Sequence, residues 1–212
     1  MMSPRTRRLA VLASGRGTNF RALAAAERSG ALGGSIAVLV SDRADAGAVT
    51  IARKRGIAVE LPDPGDRRTR LTPEAERRWV ERLRAHDVDT ILLAGFMRIL
   101  HSTFLDAFPS RVLNIHPSLL PAFPGVGAVA QAFDHGARVT GCTVHLVGAG
   151  IDDGPILMQH AVAVAEDDTL DSLTARVHRA EHALYARAVH AFLTRPFVIE
   201  GRRLVWQGGG AA

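Results

Sequence analysis

The residues best suited to chemistry lie in a run of fifteen, Arg111 to Gly125, which reads RVLNIHPSLLPAFPG. Arg111–Ile115 has the branched, apolar character of a buried strand. Side chains alternate across a strand, so Asn114 and His116 emerge together on one side at its end. Pro117, Pro121 and Pro124 exclude a helix before Gly125. They also stiffen the loop, because each proline fixes its own φ and restricts the residue before it. An amide and a titratable imidazole held in fixed relation suit the stabilisation of negative charge developing on an oxygen. A capped turn with a surface histidine is the plainer reading of the same residues.

Three other groups of residues invite a chemical reading. Ser14-Gly15-Arg16-Gly17-Thr18-Asn19 follows a short apolar run and precedes a helix-compatible segment. Gly15 and Gly17 let the backbone turn tightly and bring N–H groups to a ligand, and Thr18 or Asn19 can cap a helix whose N-terminus attracts anions. This is a phosphate cradle. Phe20 stands where a dinucleotide fingerprint needs its third glycine, and the Gly-Lys-Ser/Thr ending of a P-loop is missing. Asp152 and Asp153 lie in the glycine-rich stretch Gly148–Pro155. They favour a turn, or one of them pairs with His116 and holds it cationic. Periodicity does not choose between the two. His178-Arg179-Ala180-Glu181-His182 has the H-x-x-E-H spacing of inverted zinc peptidases, but no third ligand follows on the helix, so no metal is expected. Glu181 then faces a substrate or solvent. Cys142 and His145 sit three apart on a strand and face opposite sides, which makes Cys142 a buried structural thiol rather than a nucleophile.

The elements that must position these groups alternate regularly. Strands are expected at Leu9–Ala13, Ile36–Val40, Ile57–Leu61, Thr90–Ala94 and Arg111–Ile115, with helices to about Ser29, over Ala44–Arg55 and over Pro73–His86. The pattern implies an α/β fold: a Rossmann-like parallel sheet with right-handed crossovers and helices on both faces. Ligands in such sheets bind beyond the carboxyl ends of the strands, so the loops of Gly17, Arg98 and His116 should share one rim. Pro62–Thr72 is a basic loop. Past Gly125 a short helix should run to about His135. Val139–Val147 and Ile156–Ala165 read as an antiparallel hairpin added to the sheet, Thr169–Leu193 as one long helix, and Phe197–Trp206 as a strand-like segment.

At 212 residues, 47% apolar and 22% charged, the chain suits a single domain. Residues 1–110 form its phosphate-binding half and 111–212 its catalytic half. The net charge of +5 comes almost wholly from arginine, Lys54 being the one lysine. The arginines are scattered among acids without aromatic partners, which argues against a nucleic-acid surface and leaves a modest field favouring small anionic substrates. One cysteine excludes an intrachain disulfide framework. The apolar run Leu9–Ala13 is too short for a leader or a membrane span, so a cytoplasmic protein without membrane partners is expected; its residues leave monomer and homodimer both open.

The combined motifs SGRGTN (Ser14–Asn19), AGFMRIL (Ala94–Leu100), NIHPSLLPAFPG (Asn114–Gly125), GCTVHLV (Gly141–Val147), IDDGPI (Ile151–Ile156) and ARVHRAEHALY (Ala175–Tyr185) strongly resemble the phosphoribosylglycinamide formyltransferases, folate-dependent enzymes of purine synthesis. The resemblance covers nearly the whole chain and implies the formyltransferase fold. It also implies transfer of a formyl group from 10-formyltetrahydrofolate to the amine of 5-phosphoribosylglycinamide, with Asn114, His116 and Asp152 as the catalytic trio. On the same resemblance, the turn of Gly15, Gly17, Thr18 and Asn19 would hold the ribose phosphate, and His178 and Glu181 would contact the glycinamide part. Met97, Arg98, Ile99 and Leu100 would embrace the folate, together with Asn114 and the loop Gly148, Ala149, Gly150, Ile151 and Asp152. Two departures stand out. Gly127-Ala128-Val129 lies where the family often has a histidine, and Thr72 lies where it has a folate-contacting arginine, with Arg70 nearby.

Three rivals remain on the sequence. Formyltetrahydrofolate deformylases share the Asn-His-Asp logic but usually carry an extra N-terminal domain, whereas the first strand here begins at about Leu9. Methionyl-tRNA formyltransferases need a further C-terminal domain. A non-catalytic phospho-sugar binding module could use the same scaffold.

Overall fold

The computed structural model describes residues 6–66 and 69–208. Its contacts divide the chain into two compact units, one through Leu113 and one from Asn114 onward. Strand β5 (Val112–His116) crosses that division.

In the first unit β1 (Arg8–Leu12), β2 (Ser35–Val40), β3 (Ala58–Glu60) and β4 (Thr90–Leu93) lie in the order β3-β2-β1-β4, all parallel. Leu9 to Leu12 and Ile91 to Leu92 are almost wholly buried, as near-continuous apolar strands of a parallel sheet should be. The connecting helices are α1 (Thr18–Arg28), α2 (Gly47–Lys54) and α3 (Pro73–Ala85). Thr72 caps α3 by accepting from the Ala75 N–H at 3.2 Å. Pro73 follows at the first helical position, Glu74 and Glu76 lie in the first turn and Arg82 and Arg84 in the last, each in its favoured place along the helix dipole.

Several boundaries depart from expectation for local reasons. At α1 the cap is Gly17 in the left-handed region, not Thr18 or Asn19. The second helix starts at Gly47 rather than Ala44, because Ser41 and Arg43 close a turn on each other (3.0 and 3.2 Å) and Arg43 is paired with Asp45. A short helix α4 (Ser102–Ala107), absent from the sequence-based expectation, follows the Gly95–Leu100 loop. Residues 67 and 68 of the expected basic loop lie outside the described residues.

The second unit contains α5 (Ala128–Asp134), the antiparallel pair β6 (Val139–Leu146) and β7 (Ile156–Ala163), and the long α6 (Leu170–Thr194). The antiparallel extension of the sheet is therefore as expected. Phe197–Trp206 is not one strand but a hairpin, β8 (Phe197–Glu200) against β9 (Arg203–Trp206), since Gly201 turns the chain with φ +62°.

Helix α6 begins on a capping box in which Thr169 and Ser172 exchange side-chain-to-backbone bonds. Asp168 reinforces it by accepting from Arg176, Ser172 and the Ala165 N–H. The bonds from Arg176 above all, then that from Ser172, hold the Asp168 carboxyl well below its ordinary range. A depressed carboxyl contributes stability above its unfolded pKa of about 3.9 and loses it as pH falls. Asp168→Asn should therefore lower the melting temperature at neutral pH, with the gap to wild type shrinking as the pH drops through about 4 and below. Thermal denaturation across that range checks this, and a gap independent of pH would contradict it.

Candidate active site

In the second unit Asn114, His116, His145 and Asp152 converge. Strand alternation brings Asn114 and His116 to the same carboxylate. The Nδ1 of His116 is 3.3 Å from Asp152 Oδ2, and the Nδ2 of Asn114 is 3.4 Å from Asp152 Oδ1. Asp152 Oδ2 also accepts from the Gly125 N–H at 2.8 Å. Asp152 has φ +51°, a left-handed conformation that Asp tolerates better than most residues, and it holds the carboxylate at the meeting point of both segments.

Asp153 points elsewhere, with its carboxylate folded over Gly148 and Gly150. A Cβ at Gly148 would lie 2.6 Å from Asp153 Oδ1, so a side chain there would push that carboxylate out of the turn. Of the two acids, Asp152 is thus the one that reaches His116.

His116 is 5% exposed, and its Nε2 faces the Phe123 carbonyl at 2.9 Å. A carbonyl and a carboxylate only accept, so the ring meets an acceptor at each nitrogen: Nε2–H donates to the Phe123 carbonyl, and Nδ1 lies within ion-pairing distance of Asp152. Burial, the largest single influence, pushes the Asp152 carboxyl up. Contact with His145, the Gly125 N–H and the His116 and His145 charges together outweigh it, and the carboxyl lies below its ordinary value.

The sequence marks His145 only as the residue facing away from Cys142. It is 1% exposed; its Nδ1 lies 2.8 Å from the Leu146 carbonyl and its Nε2 lies 3.2 Å from Asn114 Nδ2 and 3.5 Å from Asp152 Oδ1. With Nδ1 facing the Leu146 carbonyl, Nε2 is turned to both the Asn114 amide and the Asp152 carboxylate, and the ring closes the cluster from the side of β6. The available signal was a polar residue in the apolar strand Cys142–Val147, two positions from Thr143. That threonine also faces the proline-rich loop: its hydroxyl donates to the Ser118 carbonyl at 2.7 Å and accepts from the Leu120 N–H at 3.1 Å. Gln159 adds a bond to the Leu120 carbonyl at 2.9 Å. The loop is therefore stiffened by side chains of β6 and β7 as well as by its prolines.

Cys142 is fully buried, and burial pushes its thiol up to about 12, which leaves no thiolate at neutral pH. On α6 the His178 Nδ1 and Glu181 Oε2 are 2.7 Å apart. Glu181 is only 2% exposed and so does not face solvent.

In the first unit, Gly17 has φ +75°, and a Cβ there would lie 2.6 Å from Ala48 Cα. The Gly15 carbonyl accepts from the Ala48 N–H at 3.2 Å, so the Ser14–Asn19 turn is braced against the start of α2. Thr18 is half-buried and Asn19 buried. The Gly17 and Arg98 turns do meet, through Ser14, whose hydroxyl accepts from the Met97 N–H at 3.1 Å. Among the expected folate residues, Met97 is 66% exposed, Leu100 is buried, and the Arg98 Nε donates to Asp42 Oδ2 at 2.6 Å. The Arg98 side chain thus anchors its loop. Ile99 and Arg70 form a parallel bridge, which sets the exposed Arg70 beside that loop, whereas Thr72 is committed to capping α3.

The model of the formyl transferase family matches residues 7–189 of the chain. The chain is 40% identical over 187 residues to a phosphoribosylglycinamide formyltransferase of Bacillus subtilis, covering 88% of this chain and 95% of that one. The crystal structure of glycinamide ribonucleotide transformylase 1 from Symbiobacterium toebii is similar with a TM-score of 0.90 and 45% identity, covering 96% of this chain and 95% of that one. The phosphoribosylglycinamide formyltransferase structure from Bacillus halodurans has a TM-score of 0.84 and 40% identity, covering 89% and 96%.

Proposed function

Since the chain belongs to the formyl transferase family, we propose that it transfers the formyl group of 10-formyltetrahydrofolate to the amine of 5-phosphoribosylglycinamide. The observation that carries this reading is the convergence of Asn114, His116 and Asp152, with the Asp152 carboxylate 3.3 Å from the imidazole of His116. The similar proteins are named for formyl transfer to this ribonucleotide.

The neutral amine attacks the formyl carbon, and the carbonyl electrons move to the formyl oxygen. The Nε2–H of His116, now spent on the Phe123 carbonyl, is the donor that this oxygen takes over. The Asn114 amide supplies a second donor by giving up its longer 3.4 Å contact with Asp152, while the 3.2 Å bond to His145 keeps the amide in place. Asp152 balances the imidazolium and aims it. Collapse of the tetrahedral centre breaks the bond to the folate nitrogen, and the proton lost by the amine goes to that nitrogen, by way of a water that Asp152 orients. The anion turn Gly15–Asn19 holds the ribose phosphate, and His178 and Glu181 meet the glycinamide part. The loops Met97–Leu100 and Gly148–Asp152 hold the folate, with Arg98 and Leu100 contributing backbone rather than side chain.

Mixing the protein with 10-formyltetrahydrofolate, with and without phosphoribosylglycinamide, tests this directly. Tetrahydrofolate should form only when the amine is present. Equal release without it would make the protein a deformylase, and no release would make it a binding module. His145→Ala should lower kcat by up to about 100-fold, since a displaced donor of this kind costs that much, with KM for both substrates little changed. Steady-state kinetics check this, and an unchanged kcat would remove His145 from the site.

A further inference from the structure

The two turns assigned above to ribonucleotide and folate are gripped by one buried residue. Ser14 is 6% exposed. Its N–H donates to the Gly95 carbonyl at 3.1 Å, and its hydroxyl accepts from the Met97 N–H at 3.1 Å. It thereby holds both ends of the Gly95–Met97 turn while immediately preceding the anion turn, Gly15–Asn19. Each turn also has ties of its own. The anion turn is braced on α2 at Gly15 and Gly17. Beyond Met97 the other loop is tied down by the Arg98–Asp42 pair at 2.6 Å, by the Ile99 N–H on the Thr69 carbonyl at 2.9 Å and by the His101 N–H on Glu76 at 2.5 Å. The strands that deliver the two turns are directly paired, Leu12 with Leu93.

We infer that Ser14 is a positioning residue that couples the two binding turns, so that a ligand ordering Gly15–Asn19 also sets Gly95–Leu100 for its own ligand. The inference rests on the proposed function for what each turn holds. Its physical content is a coupling between sites, and such coupling is reciprocal: each ligand must tighten the other by the same factor. A shift of the anion turn, unable to dissipate into α2, moves the Ser14 hydroxyl and with it the Met97 amide.

The test is calorimetric titration with tetrahydrofolate, which has no formyl group to transfer, in the absence and presence of phosphoribosylglycinamide. Wild type should bind tetrahydrofolate at least about fivefold more tightly with the ribonucleotide present, and the reverse titration should give the same factor. Ser14→Ala should bring the factor close to one while each ligand alone still binds. A factor of one in wild type, or a Ser14→Ala factor equal to that of wild type, would overturn the coupling. Loss of both separate affinities in Ser14→Ala would make the residue merely structural and overturn it too. Failure of wild type to bind either ligand would instead overturn the functional assignment, and the coupling with it.

Discussion

Asp152→Asn and His116→Ala should each lower kcat by about two orders of magnitude or more, with ribonucleotide affinity nearly unchanged. Loss of a preorganised donor to a developing oxyanion typically costs roughly 10²–10³ in rate. His116 supplies such a donor, and Asp152 holds the ring that carries it through the 3.3 Å contact with Nδ1. The amide introduced by Asp152→Asn would keep the size of the carboxyl group but remove the charge that balances the imidazolium. It would also present an NH2 group to His145 or to the Gly125 N–H, where the carboxylate now accepts. Ribonucleotide affinity is spared because the anion turn is built from a different segment, Gly15–Asn19. Turnover and ribonucleotide binding measured on the same preparations check both halves. Wild-type kcat in either variant would remove that residue from the chemistry.

The second large effect is expected at Gly17. An alanine there must adopt a left-handed φ near +75°, which costs a side chain roughly 1–2 kcal/mol. Its Cβ would also be driven to 2.6 Å from Ala48 Cα. The turn can relieve both only by moving away from α2, which displaces the N–H groups proposed to hold the phosphate. KM for phosphoribosylglycinamide should rise about tenfold or more, while KM for the folate rises less. Steady-state kinetics with each substrate varied checks this, and an unchanged ribonucleotide KM in a folded Gly17→Ala protein would contradict the role given to the turn.

Much of this site was legible in the sequence because its geometry follows from short-range rules. The two-residue period of a strand was enough to put Asn114 and His116 on one side, and the glycines around Arg16 were enough to mark a tight turn between β1 and α1. The choice between Asp152 and Asp153 was not legible from periodicity, since it depends on a left-handed backbone at Asp152 and on Asp153 folding back over Gly148 and Gly150. His145 escaped notice because in sequence it is one polar residue in an apolar strand, and its contacts with Asn114 and Asp152 arise only when β6 is set beside the end of β5. The capping assignment at α1 failed for a related reason. Thr18 and Asn19 have the right chemistry for a cap, but the close approach of Ala48 puts glycine at that position. The pairing of Arg98 with Asp42 was not legible either, because the two lie 56 residues apart in the chain. What the residues show alone is local pattern; what they could not show is which distant segment fills the space beside them.

The most direct test of the central claim, that His116 and Asp152 act as one unit on one oxygen, is the kcat of the double variant His116→Ala/Asp152→Asn. Residues that act together lose their effect together, so the double variant should be no slower than the worse single variant by more than about threefold. Losses that multiply, leaving the double variant slower by the product of the two single factors, would show that the residues work independently and would contradict the account.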